Sequence, residues 1–297
     1  MEEMCIMSNQ TKDKKISEKE IEKIKSKKDK LLNSKEIIKK MIDESKFKTK
    51  DDLFKFLITN KNHLIDEKKH GIKRADAISF NYIHEKDVAS KSVVDDLLSK
   101  DEIEVKAVIN TTNLMDSHHD VHIDGLWNKS ISEQKRTYHL QEHNMSFDHV
   151  ISTDVKASTK KMTWKELGFD FDGTTEALIF DSKVMKSRNP FMFEQYAKGY
   201  VDNHSVGMQY VKLALCINDA DYKEEKTNWD KYIDRVANKE DAEKSGYFWA
   251  VTEAKLMEGS AVLAGSNWAT PTQSVKSEPP QGTQKESLFE KIGKFKN

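Results

Sequence analysis

Apolar positions follow two different rhythms along the chain. In the first quarter they recur at helical spacing. Ile21, Ile24, Leu31, Ile38, Met41 and Ile42 form one stripe, and the SEKE run at 17–20 offers a capping box from Ser17 to Glu20. A second helical run is predicted around 52–65, and no proline precedes Pro190 to break either run. Residues 16–70 therefore read as two or three helices whose apolar stripe is thin and needs a partner to bury it. Residues 1–15 read as disordered.

From residue 102 the period shortens. In EIEVKAVINTT (102–112), Ile103, Val105, Ala107 and Ile109 alternate with mostly polar neighbours, the period-two signal of a half-buried strand. The segments 149–158, 175–184, 204–217 and 247–265 read as strands in the same way. Between them, NPFMFEQYAKGYV (189–201) reads as a helix, with Asn189 as N-cap, Pro190 at the first helical position and Gly199 as the stop. The charged run 219–245 reads as a partly helical surface insertion. Past Pro271 the composition turns to Ser, Pro, Gly, Gln and Thr, a linker. The chain closes on a short amphipathic helix at 285–296, with Leu288, Phe289, Ile292 and Phe295 on one face.

Three parts follow from this pattern: a basic helical arm (1–75), a body (76–270) and a linker with C-terminal helix (271–297). The body is expected to be α+β, a strand-dominated antiparallel β-barrel with packed helices. Residues 1–75 carry 21 Lys and Arg against 14 Asp and Glu, and the rest carries 28 against 36. The net charge of -1 thus hides a basic arm joined to an acidic body, a pattern suited to docking on something acidic.

Composition narrows the class. Charged residues reach 33% and apolar residues 37%, with mean hydropathy -0.75, so part of the chain is expected to lie outside any core. No run approaches the ~20 apolar residues of a membrane span, and the first residues lack the apolar core of a signal peptide. Cys5 and Cys216 are the only cysteines. They exclude a disulfide framework and a four-thiolate metal site, and they suit a reducing cytoplasm.

Three segments hold candidate chemistry. SHHDVHIDG (117–125) is dense in metal-ligand types, and His118 and His122 would share a face on a helix. It lacks a Glu between the histidines and runs into turn residues at Asp124 and Gly125, so no metal is expected there. LQEHNMSFDHVIS (140–152) places His143 and His149 on either side of a polar turn that leads into a strand. NHSVGMQYV (203–211) sets Ser205 just inside a strand with Gly207 on the same face, where the missing side chain clears space beside the hydroxyl. Asn203 two residues before the serine excludes the nucleophile elbow of the α/β-hydrolases.

Taken in order, four segments resemble the prohead (capsid-maturation) proteases of tailed phages, whose barrel is shared with the herpesvirus assemblins. They are MDSHHDVHIDGLWNKSI (115–131), LQEHN (140–144) followed by HVIS (149–152), FEQYAKGYVDNHSVGMQYV (193–211), and LMEGSAVLAGSNWAT (256–270). The resemblance spans about 101–270. It implies Ser205 as nucleophile, His143 as general base and Glu258 as third member of a Ser-His-Glu triad. Serine attacks poorly until a neighbouring imidazole takes its proton, and that imidazole works best with an acceptor on its other nitrogen.

The same resemblance implies an endopeptidase that processes capsid and scaffold proteins, and itself, inside the assembling prohead in the host cytoplasm. Its partners would be the major capsid protein and scaffold as substrates and further copies of the chain, as a homodimer or higher oligomer. No cofactor, membrane or specific nucleic acid is expected. Self-cleavage is expected within 270–287, and docking inside the shell through the two ends.

Four departures weigh on this reading. Ser152 stands where the family has Gly, Gly259 follows the glutamate in place of Val, and Ser266 replaces a Pro. The assemblins also use an arginine after the third triad strand, and no Lys or Arg lies between Lys255 and Lys276. The alternative is a catalytically inactive capsid-assembly or scaffold protein that keeps the protease fold.

Overall fold

The computed structural model describes residues 47–70, 90–133 and 136–277. The capping box at 17–20, the stripe through Ile42 and the C-terminal helix at 285–296 lie outside these residues. The chain divides into two compact units at Phe56/Leu57. The division falls within helix α1 (Lys50–Thr59), which Thr49 caps by accepting the Asp52 N–H at 3.1 Å. In the first unit the Phe47 and Phe56 rings meet at 5.3 Å.

The second unit carries α2 (Lys61–Lys69) and α3 (Lys91–Leu98), then β1 (Glu102–Thr111), β2 (Asp120–His122), α4 (Asn128–Ser132), β3 (Tyr138–Gln141), β4 (Val150–Ser152), β5 (Val155–Thr163) and β6 (Thr174–Met185). It continues with α5 (Pro190–Ala197), β7 (His204–Ile217), α6 (Lys223–Tyr232), α7 (Lys239–Ser245), β8 (Tyr247–Ala261) and β9 (Thr272–Lys276). The fold is α+β. Asn189 caps α5 as its sequence suggests, accepting the Met192 N–H at 3.0 Å.

The strands form two sheets. One is antiparallel in the order β5-β6-β1-β9. The other is built on β8, with β7 along one edge and, along the other, β2 against its first half and β3 against its second. Both β2 and β3 run parallel to β8, and β4 pairs antiparallel to β3. In the gap between β2 and β3, α4 and the turn before it serve β8 instead: Ser130 Oγ accepts the Leu256 N–H at 2.8 Å, and the Leu126 carbonyl accepts that of Ala254.

Among the described residues neither sheet closes, so the expected barrel is corrected to two open sheets. The physical reason is visible at the edge of β7. Helices take the place of a further strand there, with Asn228 of α6 donating to the Leu215 carbonyl at 3.1 Å. The charged run 219–245 is therefore more than a solvated surface. It forms the connection of the β7–β8 hairpin and buries Trp229, Tyr232, Ile233, Val236 and Ala242 against Cys216, Phe248 and Ala250.

The main core lies between the sheets. Ile103, Val105, Ala107 and Ile109 of β1 and Phe180 of β6 meet Val206, Met208 and Tyr210 of β7, with Phe193 and Tyr196 of α5 at the margin. Gly259 marks the closest approach. A Cβ there would lie 2.5 Å from the Phe180 ring and 2.9 Å from Ile109, so the valine of the resembled family has no room at this position.

The expected domain limits also shift. Helix α2, assigned from sequence to the arm, belongs to the second unit, where Lys61 pairs with Glu225 at 2.6 Å. The stretch 271–297, expected to be a linker, opens with β9, which pairs with β1. Within the window expected to be cleaved, 272–276 is thus held in a sheet.

Candidate functional site

The three residues singled out from sequence sit at the end of the sheet where β7, β8 and β3 lie side by side. Antiparallel pairing sets Ser205 opposite Ser260 and Gly207 opposite Glu258. Directly opposed residues share a face, and so do residues two apart, so Ser205, Gly207, Glu258 and Ser260 all project from one side of the sheet. A Cβ on Gly207 would lie 2.0 Å from Glu258 Oε1, so the carboxylate lies across the bare Cα of this glycine. The space that the sequence assigned to an approaching substrate is filled by the third member of the candidate triad.

His143 arrives from the other side. The parallel pairing of β3 with β8 carries the chain past Gln141, and Glu142 extends it by donating its N–H to the Ala261 carbonyl at 2.9 Å. The chain then turns at Gln141–Asn144, closed by an Asn144 N–H to Gln141 carbonyl bond of 3.0 Å. Both central residues are left-handed, Glu142 with φ 53 and His143 with φ 55. That is the backbone of a type I′ turn, which normally favours Asn and Gly. Two non-glycine residues here store on the order of 1–3 kcal/mol of strain each, which the surrounding hydrogen bonds must offset.

The result is a buried pair. His143 Nδ1 donates to Glu258 Oε1 at 2.6 Å, and each side chain is only 3% exposed. Ser260 Oγ donates to Glu258 Oε2 at 2.6 Å and accepts the His143 backbone N–H at 3.2 Å. Donation through Nδ1 leaves Nε2 as the basic nitrogen of the neutral ring. Nε2 is buried and hydrogen-bonds to nothing among the described residues, so it makes no bond to the Ser205 hydroxyl here. Ser205 is itself buried, 3% exposed, with Gly265 of the segment that follows β8 close beside it. Gly265 lets that segment pass, because a Cβ there would lie 2.9 Å from the His204 carbonyl and 3.6 Å from Ser205 Cβ.

The other histidines have different surroundings. His149 ends a 3₁₀ turn (Phe147–His149), and its Nδ1 meets Ser146 Oγ at 2.6 Å, with no carboxylate in the pair. His119 stacks on Tyr247 at 4.9 Å. His122 lies in strand β2, not on the helix that a His118/His122 metal face requires. Its Nδ1 accepts from Asn110 Nδ2 at 2.8 Å, and its Nε2 meets Tyr210 OH at 3.3 Å. Tyr210 donates in turn to Asp120 Oδ2, and Lys68 pairs with Asp120 Oδ1. Burial lowers the pKa of His122 and keeps the ring neutral, despite the pull of Asp116 and Asp120. Burial would raise Asp120, but the Lys68 charge and its hydrogen bond outweigh it and hold the carboxyl below its usual range. The described residues hold no group of three or more His, Cys, Asp or Glu placed for a metal ion.

Comparison with family models, curated proteins and solved structures returns no match to this chain.

Two of the departures from the resembled motifs have structural roles. Ser152 Oγ donates to the Lys183 carbonyl at 2.6 Å and ties β4 to β6. Ser266 Oγ donates to Asp116 Oδ2 at 3.2 Å. Reasoning from sequence passed over Ser260. The signal was present: it lies two positions after Glu258 in a strand, hence on the same face.

Proposed function

We propose that this chain is a serine endopeptidase in which Ser205 attacks, His143 moves the proton and Glu258 holds the imidazole. The observation that carries the reading is the buried His143–Glu258 pair, set across Gly207 on the sheet face that bears Ser205. A carboxylate at 2.6 Å from Nδ1 fixes the tautomer and stabilises the imidazolium, which is what a base for a serine hydroxyl needs.

In the proposed reaction Ser205 Oγ bonds to the peptide carbonyl carbon while its proton passes to His143 Nε2. The imidazolium returns that proton to the departing amine as the C–N bond breaks. Water, deprotonated by the same nitrogen, then releases the acyl group and restores the serine. Met145 and Phe147, on the loop that follows His143, and Leu263, just past β8, expose apolar side chains suited to a peptide.

The finer reading, a prohead protease cutting capsid and scaffold proteins and itself inside the assembling shell, rests on the order of the four motifs. In that reading it works as a homodimer or higher oligomer.

A serine-directed fluorophosphonate tests the chemistry. The expected result is covalent labelling of the purified chain that disappears in Ser205→Ala and in His143→Ala. One observation favours the second reading, an inactive assembly protein: Ser205 and His143 are both buried, and no hydrogen bond joins Nε2 to the hydroxyl. No labelling of the intact chain, together with no cleavage of a co-expressed capsid or scaffold protein, would decide for that reading.

A further inference from the structure

We infer that Ser260 is a positioning residue of this site, holding both the carboxylate and the base through one hydroxyl; the inference rests on the serine-protease reading. Ser260 is fully buried, and it lies between the two strands that supply the other groups, opposite Ser205 of β7 and Leu140 of β3. Its O–H donates to Glu258 Oε2 at 2.6 Å, while its oxygen accepts the His143 N–H at 3.2 Å.

The arrangement divides the carboxylate between two donors. Oε1 receives the imidazole and Oε2 receives the serine, so the carboxylate plane cannot rotate without breaking one of two charge-assisted bonds. Gly207 closes the third direction, because the carboxylate lies directly against its Cα. The same hydroxyl also holds the left-handed turn. Glu142 and His143 occupy strained backbone, and the N–H of His143 reaches β8 only through Ser260 Oγ. Without that oxygen a buried N–H loses its acceptor in the segment that aims the imidazole. Removing the hydroxyl should therefore loosen the base and its partner together. A serine that merely filled space would matter through its volume instead.

Two variants separate these cases. Ser260→Ala removes the hydroxyl and keeps a small side chain, and Ser260→Thr keeps the hydroxyl and adds a methyl group. The first measurement is the rate constant for fluorophosphonate acylation, resolved from the reagent's binding constant. A hydrogen bond to a charged group sets the expected loss in Ser260→Ala at ~10- to ~100-fold in the rate constant, with binding unchanged. Ser260→Thr should recover most of the rate.

The second measurement needs no activity. In a Ser205→Ala background, the His143 Nδ1–H proton should give a low-field NMR resonance that shifts or broadens when Ser260→Ala is added. Acylation at the intact rate with an unmoved resonance would overturn the inference. So would a Thr variant slower than Ala with the Ala resonance unmoved, which is the order that packing predicts. If the resonance responds to Ser260→Ala while the intact chain never reacts, the protease reading fails and the hold of Ser260 on the pair stands.

Discussion

His139 and His143 lie four residues apart, both fully enclosed, and their surroundings differ in every respect that matters for chemistry. His139 sits inside β3 with an ordinary strand backbone, on the face turned to the core. Its Nδ1 meets Ser182 Oγ at 3.0 Å and its Nε2 meets Tyr196 OH at 2.9 Å. Tyr196 OH also meets His204 Nε2 at 3.0 Å, and His204 Nδ1 donates to the Thr270 carbonyl at 3.0 Å. Both ring nitrogens of His139 thus have partners, a serine and a tyrosine hydroxyl, and neither is a carboxylate. His143 has a carboxylate on one nitrogen, no hydrogen-bond partner among the described residues on the other, and a strained backbone beneath it.

Burial therefore does not distinguish a structural histidine from a candidate base. Completeness of hydrogen bonding does. A core histidine exchanges its hydration for neutral partners and stays uncharged. A base must keep one nitrogen available and have its charged form supported on the other.

The contrast breaks most sharply at the proposed nucleophile and base. Ser205→Ala or His143→Ala should lower turnover by on the order of 10⁴-fold or more, because triad members act as a unit. The same kinetics applied to His139→Ala should show turnover per folded molecule retained and stability reduced by roughly 1–3 kcal/mol, since Tyr196 and Ser182 lose a buried partner. A dead but fully stable His139→Ala would reverse the two roles.

Gly207→Ala sharpens the comparison at one atom. The new Cβ would enter the space of Glu258 Oε1, so the carboxylate must move away from Nδ1. Misplacement of this kind should cost about 10²-fold in kcat. Unchanged kinetics, together with an unshifted Glu258 in a structure of the variant, would remove the carboxylate from the account.

The two histidines should also part on pH. Burial first, and then the charge of His204, push His139 down to about 3. In the unfolded chain it titrates near ~6.5. Between those values the unfolded state binds the extra proton, so stability is full above the unfolded value and falls as pH drops toward 3. The slope is ~1.4 kcal/mol per pH unit from this group alone. Chemical denaturation from pH 7 to pH 4 should show that slope reduced in a folded His139→Gln variant. An unchanged slope would mean that His139 is protonated in the native state.

The smallest effect is expected at His149, whose partner is Ser146 rather than a carboxylate. His149→Ala should leave acylation by a fluorophosphonate unchanged. A variant as inert as Ser205→Ala, with His143→Ala still reactive, would transfer the base to His149.

Much of this site was legible before any coordinates. Period-two alternation puts Ser205 and Gly207 on one strand face, and the same rule applied to 256–262 pairs Glu258 with Ser260, a step the motif comparison passed over. Strands β1, β6, β7 and β8 and the cap at Asn189 follow from alternation and from Asn-Pro at a helix start. Those are local quantities, set by how a residue's own backbone and nearest neighbours behave.

What tertiary structure decided is which elements meet. Strand β3 is four residues long and β2 is three, too short to show a period, and both were missed. Yet the parallel pairing of β3 with β8 brings His143 to Glu258 across 115 positions of chain. The left-handed turn at 142–143 carries no glycine or asparagine to announce it; β8 holds it from outside. The open sheets, the helices along β7 and the capture of 272–276 by β1 follow from the same cause. Pairing is fixed by which apolar faces can be buried together and which backbone groups are thereby satisfied, and both depend on residues far apart in sequence.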